Sequence, residues 1–122
     1  MGLHPRALAG RSVLIVEDEP LIALEVHAAF SAAGASIISA SSPEEALRLI
    51  KFPNVSAAVI DINLGERDCS TVCKRLSDVG IPFVFYTGEA RAEILEQWPT
   101  APVLTKLAGK ERVVEVVAGI LR

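Results

Sequence analysis

Five short apolar runs divide the chain: SVLIV (12–16), ASIISA (35–40), AAVID (57–61), IPFVFYT (81–87) and PVLTK (102–106). None shows the apolar-polar alternation of a strand with one wet face. Unbroken runs of this length belong to strands covered on both sides, the pattern of a parallel sheet. Parallel neighbours need a crossover between them, usually a helix, and helical spacing fills each gap. Ile22, Val26, Ala29, Phe30 and Ala33 recur up to Gly34. Ser42-Pro43-Glu44-Glu45 opens a second helix with a cap and a first-turn proline, carrying Ala46, Leu47 and Ile50 before Pro53 stops it. A third helix over Cys69–Val79 places Val72, Cys73 and Leu76 on one face and ends at Gly80. ARAEILEQ gives a short segment ended by Pro99, and Val113, Val116, Val117 and Ile120 repeat at 3.6 spacing in the last helix. Strands alternating with helices predict a doubly wound α/β domain, a single five-stranded parallel sheet with helices on both faces.

The chain's 122 residues suit one domain, read as a tail over residues 1–11 and a folded unit over 12–122. A hydrophobic fraction of 51% supplies a core and excludes disorder. With a net charge of −3 there is no basic stripe, so direct nucleic-acid binding is not expected. No run reaches the ~20 apolar residues of a membrane span, and the N-terminus lacks a signal-peptide core; a cytoplasmic protein is the expectation. Cys69 and Cys73 stand i, i+4 with His4 and His27 far off, which reads as two reduced thiols on a helix face rather than a metal site.

The first run ends in Glu17-Asp18-Glu19-Pro20. Two carboxylates ~4 Å apart repel by roughly 4 kcal/mol at an effective dielectric of about 20, so three in sequence ask for a positive partner. In open parallel sheets functional groups gather beyond the strands' carboxyl ends, at the switch in strand order. There the third run brings Asp61, the fourth Thr87-Gly88 and the fifth Lys106. In the order 2-1-3-4-5, strands one and three are neighbours and Asp61 faces the acidic group. Hard oxygen donors point to Mg²⁺; a lysine and a hydroxyl beside them suit a phosphoryl group. Glu19 reads as charge complementing the first helix's dipole.

Glu17-Asp18, Asp61, Thr87 and Lys106, in that order and on those strand ends, resemble the receiver domain of two-component response regulators over residues 12 to 122. The resemblance implies a flavodoxin-like fold and a phosphorylation-controlled signalling module that promotes its own phosphoryl transfer and loss without being a turnover enzyme. Asp61 would accept phosphate from a histidine kinase or phosphotransfer protein. Asp18 would bind Mg²⁺ directly, Glu17 through water, and the backbone carbonyl of Asn63 would add a ligand. Lys106 would pair with Asp61 and the phosphoryl group, Thr87 would report the phosphorylated state, and Asn63 and Glu89 would tune dephosphorylation. With Gly88 leaving the site open to water, a short-lived phosphate is expected. A downstream protein target and a homodimer through helices four and five are family expectations, as is kinase contact through helix one.

Two positions depart from the family pattern. Receivers usually follow the lysine with a proline in a cis bond, but here Leu107 follows, and a cis bond before it would cost ~3 kcal/mol. Receivers also commonly carry an aromatic three residues before the lysine, where Val103 stands; Tyr86 and Trp98 are candidate substitutes. These departures keep open a pseudo-receiver that binds a partner without phosphorylation. A phosphatase of the haloacid dehalogenase kind would want an Asp where Asn63 stands. A flavodoxin-like cofactor binder would want a Gly- or Ser/Thr-rich loop where the acids stand.

Overall fold

The computed structural model describes residues 5–52 and 54–122. Five parallel strands, β1 (Ser12–Val16), β2 (Ser36–Ala40), β3 (Val55–Ile60), β6 (Phe83–Thr87) and β7 (Val103–Thr105), form one sheet in the order β2-β1-β3-β6-β7. This is the expected 2-1-3-4-5 order. Between β3 and β6 lies a two-stranded antiparallel hairpin, β4 (Asn63–Leu64) and β5 (Arg67–Asp68), which the sequence did not announce. The helices are α1 (Pro20–Ala32), α2 (Pro43–Leu49), α3 (Ser70–Asp78), α4 (Ala92–Leu95) and α5 (Lys110–Ile120).

Because successive side chains of a strand point to opposite faces, the runs of β1, β2, β3 and β6 each feed two cores, while edge strand β7 contributes only Leu104. Val13, Ile15, Ala57, Val59 and Val84 pack under α1 and α5 with Val26, Phe30, Val113 and Val117. Leu14, Val16, Ala58, Ile60 and Phe85 pack under α2, α3 and α4 with Ala46, Val72, Cys73, Leu76 and Ile94. Cys69 and Cys73 are free, buried thiols in this second core, their sulfurs 3.7 Å apart.

The helix ends follow local chemistry. Ser42 caps α2 by accepting from the Glu45 N–H at 3.2 Å, with Pro43 in the first turn. Asp68 serves α3, its Oδ1 accepting from the Ser70 N–H at 2.9 Å, which lowers its pKa below the usual carboxylate value. The segment ARAEILEQ yields only the single turn of α4. Pro53, expected to stop α2, lies outside the described residues, as does His4; α2 itself ends at Leu49.

Residues 5–11, read as tail, are packed onto the domain. Leu8 is 1% exposed and joins the core beside Phe30 and Ala33. Its N–H donates to the Ala33 carbonyl at 2.8 Å, and the Arg11 carbonyl accepts from the Ser36 N–H at 2.9 Å. Gly34 makes this possible: at φ +93 it adopts a conformation that side-chain-bearing residues avoid, and a Cβ there would stand 3.3 Å from the Ala9 nitrogen.

Candidate functional site

At the carboxyl edge of the sheet, β1 and β3 each continue their ladder one residue past the strand. Glu17 N–H donates to the Ala40 carbonyl and Asp61 N–H to the Val16 carbonyl, both at 3.0 Å. Those bonds set the two carboxylates side by side and pull them inward, to 5% exposure each. Thr87, the last residue of β6, is fully buried next to them. These three are the buried polar side chains among the described residues, and all lie at this one edge.

Their hydrogen bonds converge on Asp61. The Thr87 hydroxyl donates to Asp61 Oδ1 at 2.7 Å, and the Asn63 N–H reaches the same oxygen at 3.3 Å. Lys106 Nζ donates to Oδ2 at 3.0 Å. That ammonium is also 2.9 Å from Glu17 Oε1 and 3.3 Å from Glu19 Oε1, so its three N–H donors meet three carboxylates. The Glu19 N–H in turn donates to Glu17 Oε2 at 3.2 Å. The Glu89 N–H donates to the Thr87 hydroxyl at 3.4 Å, and the Asn63 side-chain amide donates to the Glu89 carbonyl at 3.3 Å, tying the loops after β3 and β6 together.

Burial, the largest influence on Glu17, together with the nearby Asp61 charge raises its pKa to about 7, against the lowering effect of the Lys106 and Glu19 N–H bonds. Burial works to discharge Lys106 as well, but hydrogen bonds to Glu17 and Asp61 and their negative charge outweigh it and hold its pKa above the ordinary lysine value.

The expected residues Glu17, Asp61, Thr87 and Lys106 are thus brought together. Asp18 is not part of the close carboxylate group, which comprises Glu17, Glu19 and Asp61 with oxygens within 4.8 Å of one another. The Asp18 carboxylate lies toward the hairpin turn, Oδ2 being 3.9 Å from where a Cβ on Gly65 would stand. Glu19, expected only as dipole-complementing charge, instead faces the pocket. β1 ends at Val16 and the chain bends at Asp18, and past that bend the Glu19 carboxylate comes to lie beside those of Glu17 and Asp61. The donor set fits Mg²⁺, because three carboxyl groups against one ammonium leave an excess of negative charge on hard oxygen ligands, which a bound cation would offset.

A family model for the response regulator receiver domain matches residues 13–117. The chain belongs to the response regulator receiver domain family. Solved receivers share its fold at low identity. A CheY-like receiver domain protein from Methanospirillum hungatei is 19% identical with a TM-score of 0.82, covering 91% of this chain and 93% of its own. A two-component response regulator from Clostridium difficile is 23% identical at TM-score 0.82, covering 92% and 96%. The response regulator TrrA from Thermotoga maritima, in complex with Mg²⁺-BeF, is 21% identical at TM-score 0.79, covering 91% and 99%. No curated protein matches the chain.

This receiver departs from its family at the places the sequence indicated. No cis peptide occurs among the described residues, and Lys106 opens a 3-10 turn, Lys106–Ala108, rather than ending a strand. Leu107 is 97% exposed. Val103 is exposed on the edge strand, without a ring to move. Tyr86 sits on the opposite face of β6 from Thr87, in the α1–α5 core, and its hydroxyl reaches the Lys106 carbonyl at 3.5 Å. Trp98 stacks edge-on against Phe83 at the far end of β6, where it packs and does not approach the site.

Proposed function

We propose that this receiver accepts a phosphoryl group on Asp61 and so switches protein contacts in a two-component pathway. The observation that carries the reading is the environment of Asp61: a buried carboxylate whose two oxygens are held by a hydroxyl at 2.7 Å and an ammonium at 3.0 Å. A residue needed only for folding gains little from such a setting, since an apolar side chain would fill the site at lower desolvation cost.

In the proposed reaction an Asp61 oxygen attacks the phosphorus of a phosphohistidine on a kinase or phosphotransfer protein. The O–P bond forms as the P–N bond breaks, and the departing imidazole nitrogen keeps the bonding pair and takes up a proton. Positioning and charge neutralisation carry most of such a transfer. Lys106 supplies a fixed positive charge, Thr87 a hydroxyl donor, and the Asn63 N–H a third hydrogen bond. Mg²⁺, held by Glu17 and Asp61 with Glu19, Asp18 and the Asn63 carbonyl as neighbouring oxygen donors, would neutralise the phosphoryl oxygens. Water later attacks the acyl phosphate, returning the Asp61 carboxylate and inorganic phosphate; Asn63 and Glu89, bonded to each other beside Thr87, line that approach. The protein consumes one phosphoryl group per event and is not a turnover enzyme.

The expected setting is cytoplasmic, with a downstream protein and a homodimer among its contacts; no helix among the described residues is long and apolar enough to cross a membrane. The test is intact mass after incubation with Mg²⁺ and acetyl phosphate. A single phosphoryl adduct, lost in Asp61→Asn and with EDTA, supports the reading. No adduct from acetyl phosphate or from a cognate kinase, on folded protein, would favour the pseudo-receiver reading, which Val103 and Leu107 suggest.

A further inference from the structure

We propose that Glu19 is a positioning residue for Lys106, aiming its ammonium at Asp61 in place of a rigid backbone after the lysine. The inference rests on the reading of Asp61 as phospho-acceptor, and it begins with what the lysine lacks. Lys106 projects from a 3-10 turn at the end of an edge strand, followed by a Leu107 that touches little, being 97% exposed. Nothing in that backbone fixes the direction of a side chain with four rotatable bonds. Its aim must come from the acceptors around Nζ.

Those acceptors are not equivalent. Asp61 Oδ2 is the reacting group and changes chemistry when phosphorylated. Glu17 spends its other oxygen on the Glu19 N–H and belongs to the acidic set facing the cation. Glu19 offers a carboxylate oxygen 3.3 Å from Nζ on the most exposed side chain of the three, at the rim of the same acidic set and not itself the reacting group. Its backbone root is fixed three ways. The N–H is tied to Glu17 at 3.2 Å, the carbonyl accepts from the Ala23 N–H at 3.0 Å, and Pro20 locks the first residue of α1 behind it. At this N-cap position Glu19 makes no side-chain cap bond, so its carboxylate is not engaged in holding the helix. Serine is a better cap than glutamate, which makes a glutamate here hard to explain by helix stability.

The test separates aiming from helix capping by using Glu19→Ser. This variant keeps or improves the cap but removes the carboxylate. The account expects unchanged or higher thermal stability, with acetyl phosphate labelling slowed about twofold to fivefold, an effect sized for a partly exposed contact. Glu19→Asp, which keeps the charge on a shorter arm, recovers part of the rate. In a Lys106→Ala background the Glu19→Ser change has no further effect, because the group it aims is gone. A second readout needs no phosphoryl transfer: the side-chain ammonium resonance of Lys106, ¹⁵N-labelled at Nζ, is sharp and slowly exchanging in the wild type and broadened in Glu19→Ser. Equal slowing with and without Lys106, or an unchanged ammonium resonance, overturns the proposal. If the wild type takes no phosphate at all, the functional reading fails, and the ammonium resonance still decides whether Glu19 holds Lys106.

Discussion

The two ends of the same sheet are built by opposite means. At the amino end, Leu8 closes the core under α1, the Leu8 N–H and Arg11 carbonyl bond to the backbone on either side of Gly34, and Arg11 Nη2 reaches the Leu121 carbonyl at 3.0 Å. That end is sealed with apolar surface and backbone hydrogen bonds. At the carboxyl end, Glu17, Asp61 and Thr87 are as buried as core residues, yet they are satisfied by one another and by Lys106. Removing apolar atoms from the first end should cost stability and leave chemistry alone. Removing charge from the second should cost chemistry and alter stability in a pH-dependent way. A buried, charged edge is tolerated because the other end and the two apolar layers hold the sheet.

The largest expected effect that would separate the ends is Lys106→Ala. Loss of a preorganised cation at the reacting group should slow acetyl phosphate labelling about a hundredfold, measured as adduct against time on folded protein; labelling at the wild-type rate would break the comparison. Next is Leu8→Ala, which deletes buried methyl groups far from Asp61. It should lower unfolding free energy by about 2–4 kcal/mol in urea titration and leave the labelling rate per folded molecule unchanged.

A smaller effect sharpens the carboxyl end. Glu17, with a folded-state pKa of about 7 against 4.5 for an ordinary Glu, binds its proton more tightly folded than unfolded. Its contribution to stability is therefore full below about pH 4.5 and is lost as pH rises to 7 and beyond. In EDTA, the melting temperature of Glu17→Gln relative to wild type should rise between pH 5 and pH 8, and a difference independent of pH would contradict that burial. The smallest effect is at the exposed ion pair between Arg67 and Glu44. Both groups are more than half exposed, so Arg67→Ala should change stability by no more than about 0.5 kcal/mol.

How much of this was legible in the sequence differs between the same two regions. The strands and the convergence of Asp61, Thr87 and Lys106 could be read because unbroken apolar runs announce strands covered on both faces and strand ends locate functional groups, whereas the order of the strands was taken from the flavodoxin-like fold. The hairpin over 63–68 was invisible, as two-residue strands leave no period to detect. Leu8 was missed because one leucine among Ala, Gly and Arg has no periodicity, and its burial depends on Gly34 opening room. Glu19 was read only as charge complementing the dipole of α1, because its place beside Glu17 and Asp61 depends on a chain bend at Asp18 that no residue pattern announces.

The most direct test of the central claim is to locate the phosphoryl group. Protein labelled with acetyl phosphate and Mg²⁺ would be reduced with borohydride, which converts an aspartyl phosphate to homoserine, and then digested for peptide mass spectrometry. The account predicts homoserine at position 61 and at no other acid. Homoserine at Asp18 or Asp68 instead, with Asp61 untouched, would contradict it.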